Sequence, residues 1–209
     1  MMPFKEVWRL GVPLQLRVDD VEIEDLFDFI QKLDKRQTLV EIGCLQGRSL
    51  FTLAQAMEEN AWVIGIDLPE GKWGAIKYSM KLSGTISWLG DLGFASAYIH
   101  GDSHEERTKM RLVTLLQGRF IDVLVIDGDH SYEGVKQDYE MYAPLVDKLG
   151  VVIFHDIAED CPPHIDGSLV EVRKFWKDLR NSPEQIKVEY SEIYHPGSKM
   201  GYGIIRGVA

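Results

Sequence analysis

The chain has little cysteine and no long apolar run. Two of its 209 residues are cysteines, Cys44 and Cys161, which is too few for a disulfide framework, and their spacing is not that of a metal knuckle. The N-terminal stretch MMPFKEVWRLGVPLQ lacks the apolar core of a secretion signal, and no segment reaches the roughly 18 apolar residues of a membrane span. We therefore expect a cytoplasmic protein that does not enter a membrane.

Positive charge is also scarce. The chain has 23 Lys and Arg against 33 Asp and Glu, which gives a net charge of −10. Such a chain gains little from attraction to a phosphate backbone, so we expect no nucleic-acid partner and predict a small-molecule ligand. Hydrophobic residues make up 45%, which at this length is enough for one domain with a full core, here residues 1–209.

Residues 38–49, TLVEIGCLQGRS, combine a short apolar strand, a glycine loop and the start of a helix. Gly43 and Gly47 let the backbone pass close under a ligand, and the helix points free N–H groups at the same place. Glu41 adds an acceptor for a cationic or hydroxyl-bearing group. A dinucleotide fold uses G-x-G-x-x-G instead, and an acid here would repel phosphate. The pattern favours a ligand without phosphate, and an ordinary tight turn that binds nothing is the alternative.

The rest of the chain alternates strands with helices. Further strands are predicted at 61–66, 95–100, 121–126 and 151–154, and a final pair at 186–194 and 201–206 has the spacing of a hairpin. Uninterrupted apolar runs are typical of strands covered by helices on both faces. We predict an α/β fold: a doubly wound, mostly parallel seven-stranded sheet, Rossmann-like, with an antiparallel C-terminal hairpin.

Three segments outside the strands carry their own expectations. Residues 1–18 show rough apolar alternation and predict an extended arm that packs on the core, covers the site or meets a second subunit. Residues 68–96 are long for one crossover and predict a helix plus an irregular part that lines a pocket or forms a surface loop. Ser103 and Ser168 each precede an acid by three residues, which predicts capping boxes that start helices there.

Acids and histidines follow four of the predicted strands. Asp67 lies 20 residues after Gly47, close to the spacing of a ribose-binding acid, although capping of the next turn is the alternative. The later strand ends carry Asp102 with Ser103, Asp127 with Asp129 and His130, and His155 with Asp156. Carboxylates brought together repel unless a cation or proton lies between them. The last two groups therefore predict a site for a divalent metal such as Mg²⁺ or Mn²⁺.

The segment IDGDHSYEGVKQDYEMYAPLVDKLGVVIFHDI, together with EIGCLQGRS and IGID, resembles class I S-adenosylmethionine-dependent methyltransferases. It is most similar to the small-molecule O-methyltransferases related to cephalosporin hydroxylase and macrocin O-methyltransferase, and more remotely to catechol O-methyltransferase. The resemblance covers residues 38–157. It implies S-adenosylmethionine as donor, a hydroxyl of a sugar, glycoside or phenol as acceptor, and a homodimer by family analogy. A sulfonium donor also suits a cleft lined with carboxylates.

Position by position, the resemblance implies a role for each motif. The donor residues would be Glu41, Gly43, Gly47 and Ser49 for the methionine moiety, Asp67 for the ribose, and Asp102 with Ser103 for the adenine side. Asp127 and Asp156 match metal ligands, and His155 stands where a relative offers another carboxylate, which favours manganese, iron or zinc. His130 matches a catalytic base that would take the acceptor's proton, and a hydrogen bond to Asp129 at a helix start is the alternative.

A second function remains open on the same residues. A hydroxylase-like protein, or a non-catalytic member that binds a metal or ligand, would share the fold and the strand-end groups. The other histidines near loops, His100, His104 and His164, are expected to be mostly solvated.

Overall fold

The structure is a computed structural model that describes residues 4–10, 20–68, 76–159, 161–163, 167–182, 188–193 and 199–207. The strands are β1 (Thr38–Ile42), β2 (Trp62–Asp67), β3 (Ala95–His100), β4 (Ile121–Ile126), β5 (Val146–His155), β6 (Glu189–Ile193) and β7 (Tyr202–Arg206). The helices are α1 (Phe4–Leu10), α2 (Asp20–Gln31), α3 (Arg48–Ala54), α4 (Ile76–Asp91), α5 (Glu106–Leu116), α6 (Tyr132–Tyr142) and α7 (Val172–Arg180). Within these ranges, no helix combines the length and the apolar character that crossing a bilayer demands.

The seven strands form one sheet in the order β3-β2-β1-β4-β5-β7-β6. Strands β1 to β5 are parallel, and β7 is antiparallel to both β5 and β6. This confirms the predicted sheet and its C-terminal hairpin. The strand order reverses between β1 and β4, and the carboxyl ends of strands at such a switch point form the crevice where ligands bind in open α/β sheets.

Helices cover both faces of the sheet and create two hydrophobic cores. Leu39 and Val123 belong to the core under α1 to α4, while their neighbours Val40 and Leu124 belong to the core under α5 to α7. Successive residues of a strand point to opposite faces, so a central strand must be apolar throughout. Each such side chain contributes about 1.5–3 kcal/mol when fully buried.

The N-terminal prediction of an extended arm is wrong for residues 4–10. This segment is helix α1, and its buried Phe4 and Val7 lie one helical turn apart. The Phe4 ring packs edge-on against Phe27 of α2, with ring centroids 5.5 Å apart. The helical spacing of these two residues outweighs the alternation that suggested an arm. Residues 11–18 lie outside the described ranges.

Both predicted capping boxes are also wrong. Helix α5 begins at Glu106 and α7 at Val172, and neither has a side-chain cap. The Ser103 carbonyl instead accepts a hydrogen bond from the Tyr142 hydroxyl at 2.7 Å. Leu169, which directly follows Ser168, is 71% exposed. Contacts between distant segments decide these helix ends, and local spacing does not reveal them.

Strand β5 starts earlier than the predicted residue 151. Helix α6 stops at Tyr142, and a short 3₁₀ turn follows at Ala143–Leu145. Pro144 in this turn has no N–H to continue the helical ladder. The chain then enters β5 at Val146.

Candidate active site

Two glycines with left-handed backbone shape the loop between β1 and α3. Gly43 has φ 84° and Gly47 has φ 83°. A Cβ on Gly43 would lie 2.1 Å from the carbonyl oxygen of Asp127, and one on Gly47 would lie 2.8 Å from Leu82 Cδ1 of α4. Neighbouring segments therefore require glycine at both positions. The fold needs these glycines whether or not a ligand binds, so the glycines alone do not distinguish a ligand-binding loop from the ordinary tight turn that was the alternative.

Glu41 is a buried acid with unused hydrogen-bonding capacity. Glu41 is only 1% exposed, and its Oε1 accepts a hydrogen bond from the Ser49 hydroxyl at 2.5 Å. Its second oxygen, Oε2, is buried without a hydrogen-bond partner in the described structure. Burial raises its pKa to about 8, against the opposing effect of Ser49. Such a group suits a ligand that brings a positive charge or a hydrogen-bond donor.

Asp67 lies at the end of β2 and helps to shape the glycine loop. Its Oδ2 accepts a hydrogen bond from the Leu45 N–H at 2.7 Å. Leu45 itself has a left-handed backbone with φ 52°, and this bond compensates for that strain. Burial raises the pKa of Asp67. The ribose contact of Asp67 stays a prediction.

Glu41, Asp67 and Asp127 converge at the carboxyl ends of β1, β2 and β4. The Asp127 N–H donates to the Ile42 carbonyl at 2.9 Å, which carries the β1–β4 pairing up to the glycine loop. The charges of Asp127 and Asp67 both act to raise the pKa of Glu41. The acidic rim expected from the sequence is therefore present as a set of mutually interacting groups.

The loop after β3 holds Asp102 and Ser103. The Asp102 side chain is 43% exposed, and its Oδ1 accepts a hydrogen bond from the His104 N–H at 2.9 Å. His104 is not the solvated histidine that the sequence suggested. Its Nε2 lies 3.4 Å from Oδ1 of Asp138, and this carboxylate raises the pKa of His104 to about 9.

Asp138 is a buried acid that the sequence reasoning missed. It lies on α6 and is 0% exposed. The helical spacing could have revealed it, because Asp138 lies three residues after Val135 and four before Tyr142, both of which are buried. An acid at an inward-facing helical position needs a partner, and His104 provides it.

Four ionisable side chains meet where β4 and β5 end: Asp127, His130, His155 and Asp156. His155 Nδ1 lies 2.9 Å from Asp127 Oδ1, and His130 Nε2 lies 3.2 Å from the same oxygen. The other ring nitrogen of His130, Nδ1, lies 3.1 Å from Asp156 Oδ2. His130 therefore bridges the two carboxylates. Asp129 is exposed, and its Oδ1 accepts the Ser131 N–H at 2.9 Å where α6 begins.

Ion pairing sets the charges of this cluster. Although burial acts to raise it, the pKa of Asp127 falls well below its usual value because His155 and His130 face this carboxylate. Burial acts to lower the pKa of His155, yet Asp127 and Asp156 raise it to about 10. The pKa of His130 is raised in the same way. Asp127 is thus ionised at neutral pH, and the His155 imidazole carries a proton.

A family model described as a methyltransferase domain matches residues 40–157, which is more than half of the chain. The chain belongs to this methyltransferase family. It is also 31% identical over 141 residues to the uncharacterized protein R132 of Acanthamoeba polyphaga mimivirus. That match covers 64% of this chain and 57% of R132, so the methyltransferase aligns with little more than half of its relative.

Solved methyltransferases share the whole fold. The O-methyltransferase from Bacillus cereus, in complex with SAH, has a TM-score of 0.64 at 18% identity, over 97% of this chain and 88% of that chain. The O-methyltransferase TomG from Streptomyces achromogenes, involved in tomaymycin synthesis and in complex with SAM, has a TM-score of 0.65 at 16% identity, over 99% and 90%. The predicted methyltransferase family is therefore confirmed by the family match, and these neighbours share the predicted Rossmann-like fold.

The acidic cluster of this methyltransferase has a donor set that fits a metal. Asp127, His130 and Asp156 each offer one ligand atom, and these atoms lie within 4.8 Å of one another. Asp156 has a left-handed backbone with φ 62°, an uncommon conformation for a residue other than glycine. The sequence suggested His155 as the third ligand beside Asp127 and Asp156. In the three residues whose ligand atoms lie this close together, His130 takes the place of His155.

Proposed function

We propose that the methyltransferase transfers a methyl group from S-adenosylmethionine to a hydroxyl of a small molecule, assisted by a divalent metal. The observation that carries the proposal is the position of the Asp127–His130–Asp156 cluster. It adjoins the glycine loop directly, since the Asp127 carbonyl lies against Gly43. Donor and metal would thus be neighbours at one edge of a rigid sheet, and methyl transfer depends mainly on proximity and alignment.

The donor side is proposed to use Glu41, Gly43, Gly47, Ser49, Asp67, Asp102 and Ser103. S-adenosylmethionine supplies an electrophilic methyl group on a positively charged sulfur, and its methionine part carries an amino group. The free Oε2 of Glu41 is the buried acceptor that such a cation would satisfy. The carboxylates of Asp67 and Asp127 add negative potential that favours a cationic ligand over a phosphate.

The metal is proposed to bind Asp127 and Asp156, with a histidine as third ligand. A divalent cation held there would lower the pKa of an acceptor hydroxyl and orient it. His155 was the expected third ligand, and His130 is the alternative that the mutual distances favour. A nitrogen ligand of either kind shifts the preference from magnesium toward manganese, iron or zinc.

His130 is proposed as the base that takes the acceptor's proton if His155 is the ligand. Asp127 and Asp156 face His130 and raise its pKa, so its imidazole holds a proton more firmly than an isolated one. A cation bound to these carboxylates would compensate their charge and make the neutral imidazole available to accept the acceptor's proton.

The acceptor is proposed to be a small molecule such as a sugar, glycoside or phenol. The net charge of −10 disfavours a nucleic acid. TomG, a solved neighbour, is involved in tomaymycin synthesis, which supports a small molecule as the acceptor.

The test is donor binding followed by turnover on a panel of catechols, phenols and sugars. We expect isothermal titration to detect SAH binding at micromolar concentration, and SAH release to stop after EDTA treatment and to return with Mg²⁺ or Mn²⁺. Asp127→Ala should remove turnover and leave SAH binding within about threefold, with Asp129→Asn, an exposed neighbour, as control. Absence of SAH binding would refute the donor, and full activity in EDTA would refute the metal. His155→Ala and His130→Ala then identify the third ligand by their effect on metal affinity.

The mixture of two histidines and two carboxylates favours one second function. Two histidines and one carboxylate can hold Fe²⁺ for oxygen chemistry, so a hydroxylase-like activity is the alternative. Anaerobic loading with Fe²⁺, followed by exposure to O₂ together with the acceptor panel and an added two-electron reductant, distinguishes the two. O₂ consumption with a hydroxylated product would support the hydroxylase-like activity. SAH release with Mg²⁺ alone would show that the reaction needs neither iron nor O₂.

A further inference from the structure

Side chains of helix α6 hydrogen-bond to the loop after β3, and no side chain of this loop caps the helix α5 that follows it. The Tyr142 hydroxyl donates to the Ser103 carbonyl at 2.7 Å, and the Gln137 side chain donates to the His104 carbonyl at 3.2 Å. The His104 ring reaches the same helix, with Nε2 at 3.1 Å from the Gly134 carbonyl and 3.4 Å from Asp138 Oδ1. Three turns of one helix thus hold the backbone of a loop that has no side-chain cap of its own.

Asp138 is the central residue of this connection. A fully buried carboxylate costs several kcal/mol unless it is paired. Burial raises its pKa, and His104 and Ser103 act against that rise. Both residues belong to the loop after β3. The buried charge therefore specifies where this loop must lie, because moving the loop away would leave the carboxylate unpaired.

Asp138 also lies against the loop after β4. A Cβ on Gly128 would be 3.2 Å from Asp138 Oδ2, so the backbone next to Asp127 packs directly on this carboxylate. Helix α6 starts four residues later, where the Ser131 hydroxyl accepts the Gly134 N–H at 3.0 Å. Gly134 thus receives the cap of α6 at its N–H and faces His104 at its carbonyl. One buried acid is in contact with both strand-end loops.

We propose that His104 and Asp138 are positioning residues that hold the loop after β3 in its donor-binding shape and align it with the loop that carries Asp127 and His130. This inference rests on the proposed function, in which Asp102 and Ser103 contact the adenine side of the donor. His104 and Asp138 themselves touch no reacting atom. Their role is to order the loop before the donor arrives, so that binding does not have to supply that ordering free energy.

The experiment measures the affinity for SAH by isothermal titration at 10 °C in His104→Gln, Asp138→Asn and the double variant. We expect each single change to raise the SAH Kd about tenfold, because a loop that is ordered in only about one molecule in ten binds tenfold more weakly. The double variant should also lose about tenfold, not a hundredfold, because both changes break the same pair. Lys136→Gln, a change on the same helix at a half-buried residue that pairs with the exposed Glu140, is the matched control and should leave the Kd unchanged.

A second ligand locates the effect on the donor. 5′-Methylthioadenosine has the adenosine part and no amino-acid part, so His104→Gln should weaken it by the same factor as SAH. Glu41→Gln, on the methionine side, should weaken SAH far more than 5′-methylthioadenosine. Tyr142→Phe removes one bond to the Ser103 carbonyl and keeps the ion pair, so it provides a milder variant, with a two- to fivefold loss, should Asp138→Asn fold poorly.

The outcomes separate this inference from the function on which it rests. If wild-type protein binds no SAH, the proposed donor and this inference fall together. If wild type binds SAH and His104→Gln stays within twofold of it, the inference alone is overturned. Losses that multiply in the double variant would also overturn it, since the two residues would then act independently.

Discussion

Glu41→Gln tests whether the buried acid beneath the glycine loop is neutral in the free protein. The folded pKa of Glu41 is about 8, against an ordinary value of 4.5. Because the folded pKa is raised, folding is favoured while the group keeps its proton. The stability of the wild type must therefore fall as pH rises from 4.5 through 8.

The size of the effect follows from the two pKa values. At 1.36 kcal/mol per pKa unit, the ionisation of Glu41 weakens folding by about 3 kcal/mol between pH 5.5 and 8.5. For a chain of this length this corresponds to a melting temperature lower by about 6–12 °C. Glutamine has no charge at either pH. Its buried amide lowers stability by an amount that does not change with pH. The variant therefore differs from wild type in how steeply the free energy of unfolding changes with pH.

The assay is urea unfolding at pH 5.5 and 8.5, with EDTA present, for wild type, Glu41→Gln and the exposed control Asp129→Asn. We expect the free energy of unfolding to fall from pH 5.5 to pH 8.5 in wild type and in the control. Glu41→Gln should not show this fall. Donor binding gives a second measure, because an ionised Glu41 facing a cation must release its proton. At pH 7 wild type should release about 0.9 proton per SAH bound, seen as a buffer-dependent heat, and Glu41→Gln none.

Two results would refute this reasoning. Equal pH slopes in wild type and Glu41→Gln would mean that Glu41 is already ionised in the free protein. SAH binding heats that are equal in phosphate and Tris, with an unchanged Kd in the variant, would mean that the donor does not meet Glu41. With the charge-assisted contact present, the variant should bind SAH at least about tenfold more weakly.

Three further predictions concern the scaffold. Gly43→Ala should lower the melting temperature by more than about 10 °C or prevent folding, because its Cβ meets the Asp127 carbonyl; Gly84→Ala, which meets nothing within 4 Å, should stabilise slightly in the same thermal melts. Asp122→Ala should cost about 2–4 kcal/mol in urea unfolding, because Oδ2 accepts the Thr38 N–H at 2.9 Å in a buried place. His104 has a raised pKa of about 9, so its contribution to stability is complete below pH 6.5 and is lost as the pH rises through 9. The free energy of unfolding should therefore fall between pH 7 and pH 10 in wild type, and this fall should be missing in His104→Gln.

Some elements could be predicted from sequence because their signals are local. Strands β3 and β4 have the predicted bounds, Ala95–His100 and Ile121–Ile126. Apolar residues of a buried strand adjoin polar turn residues, and both are visible within a few positions. Gly43, Gly47 and the acids at strand ends were found in the same way, whereas the methyltransferase family was inferred from a resemblance over residues 38–157.

The remaining features depend on segments that are distant in sequence and adjacent in space. The start of α5 is set by Tyr142 and Asp138, which lie more than 30 residues after Ser103, so the spacing from Ser103 to Glu106 was misleading. The reason for Gly43 is likewise a carbonyl 84 positions later. Cytoplasmic location and a homodimer stay predictions, as do the roles of the individual site residues.

The sequence by itself determined the strands, the glycine loop and which ionisable residues follow each strand, because hydrophobic pattern and turn chemistry act between near neighbours. Only the tertiary structure decided which of these residues meet. Placing β4 beside β1 brings Asp127 against the glycine loop, and placing β5 beside β4 lets His130 bridge Asp127 and Asp156. Burial then sets the charge of each group, since a pKa depends on the neighbours that the fold supplies.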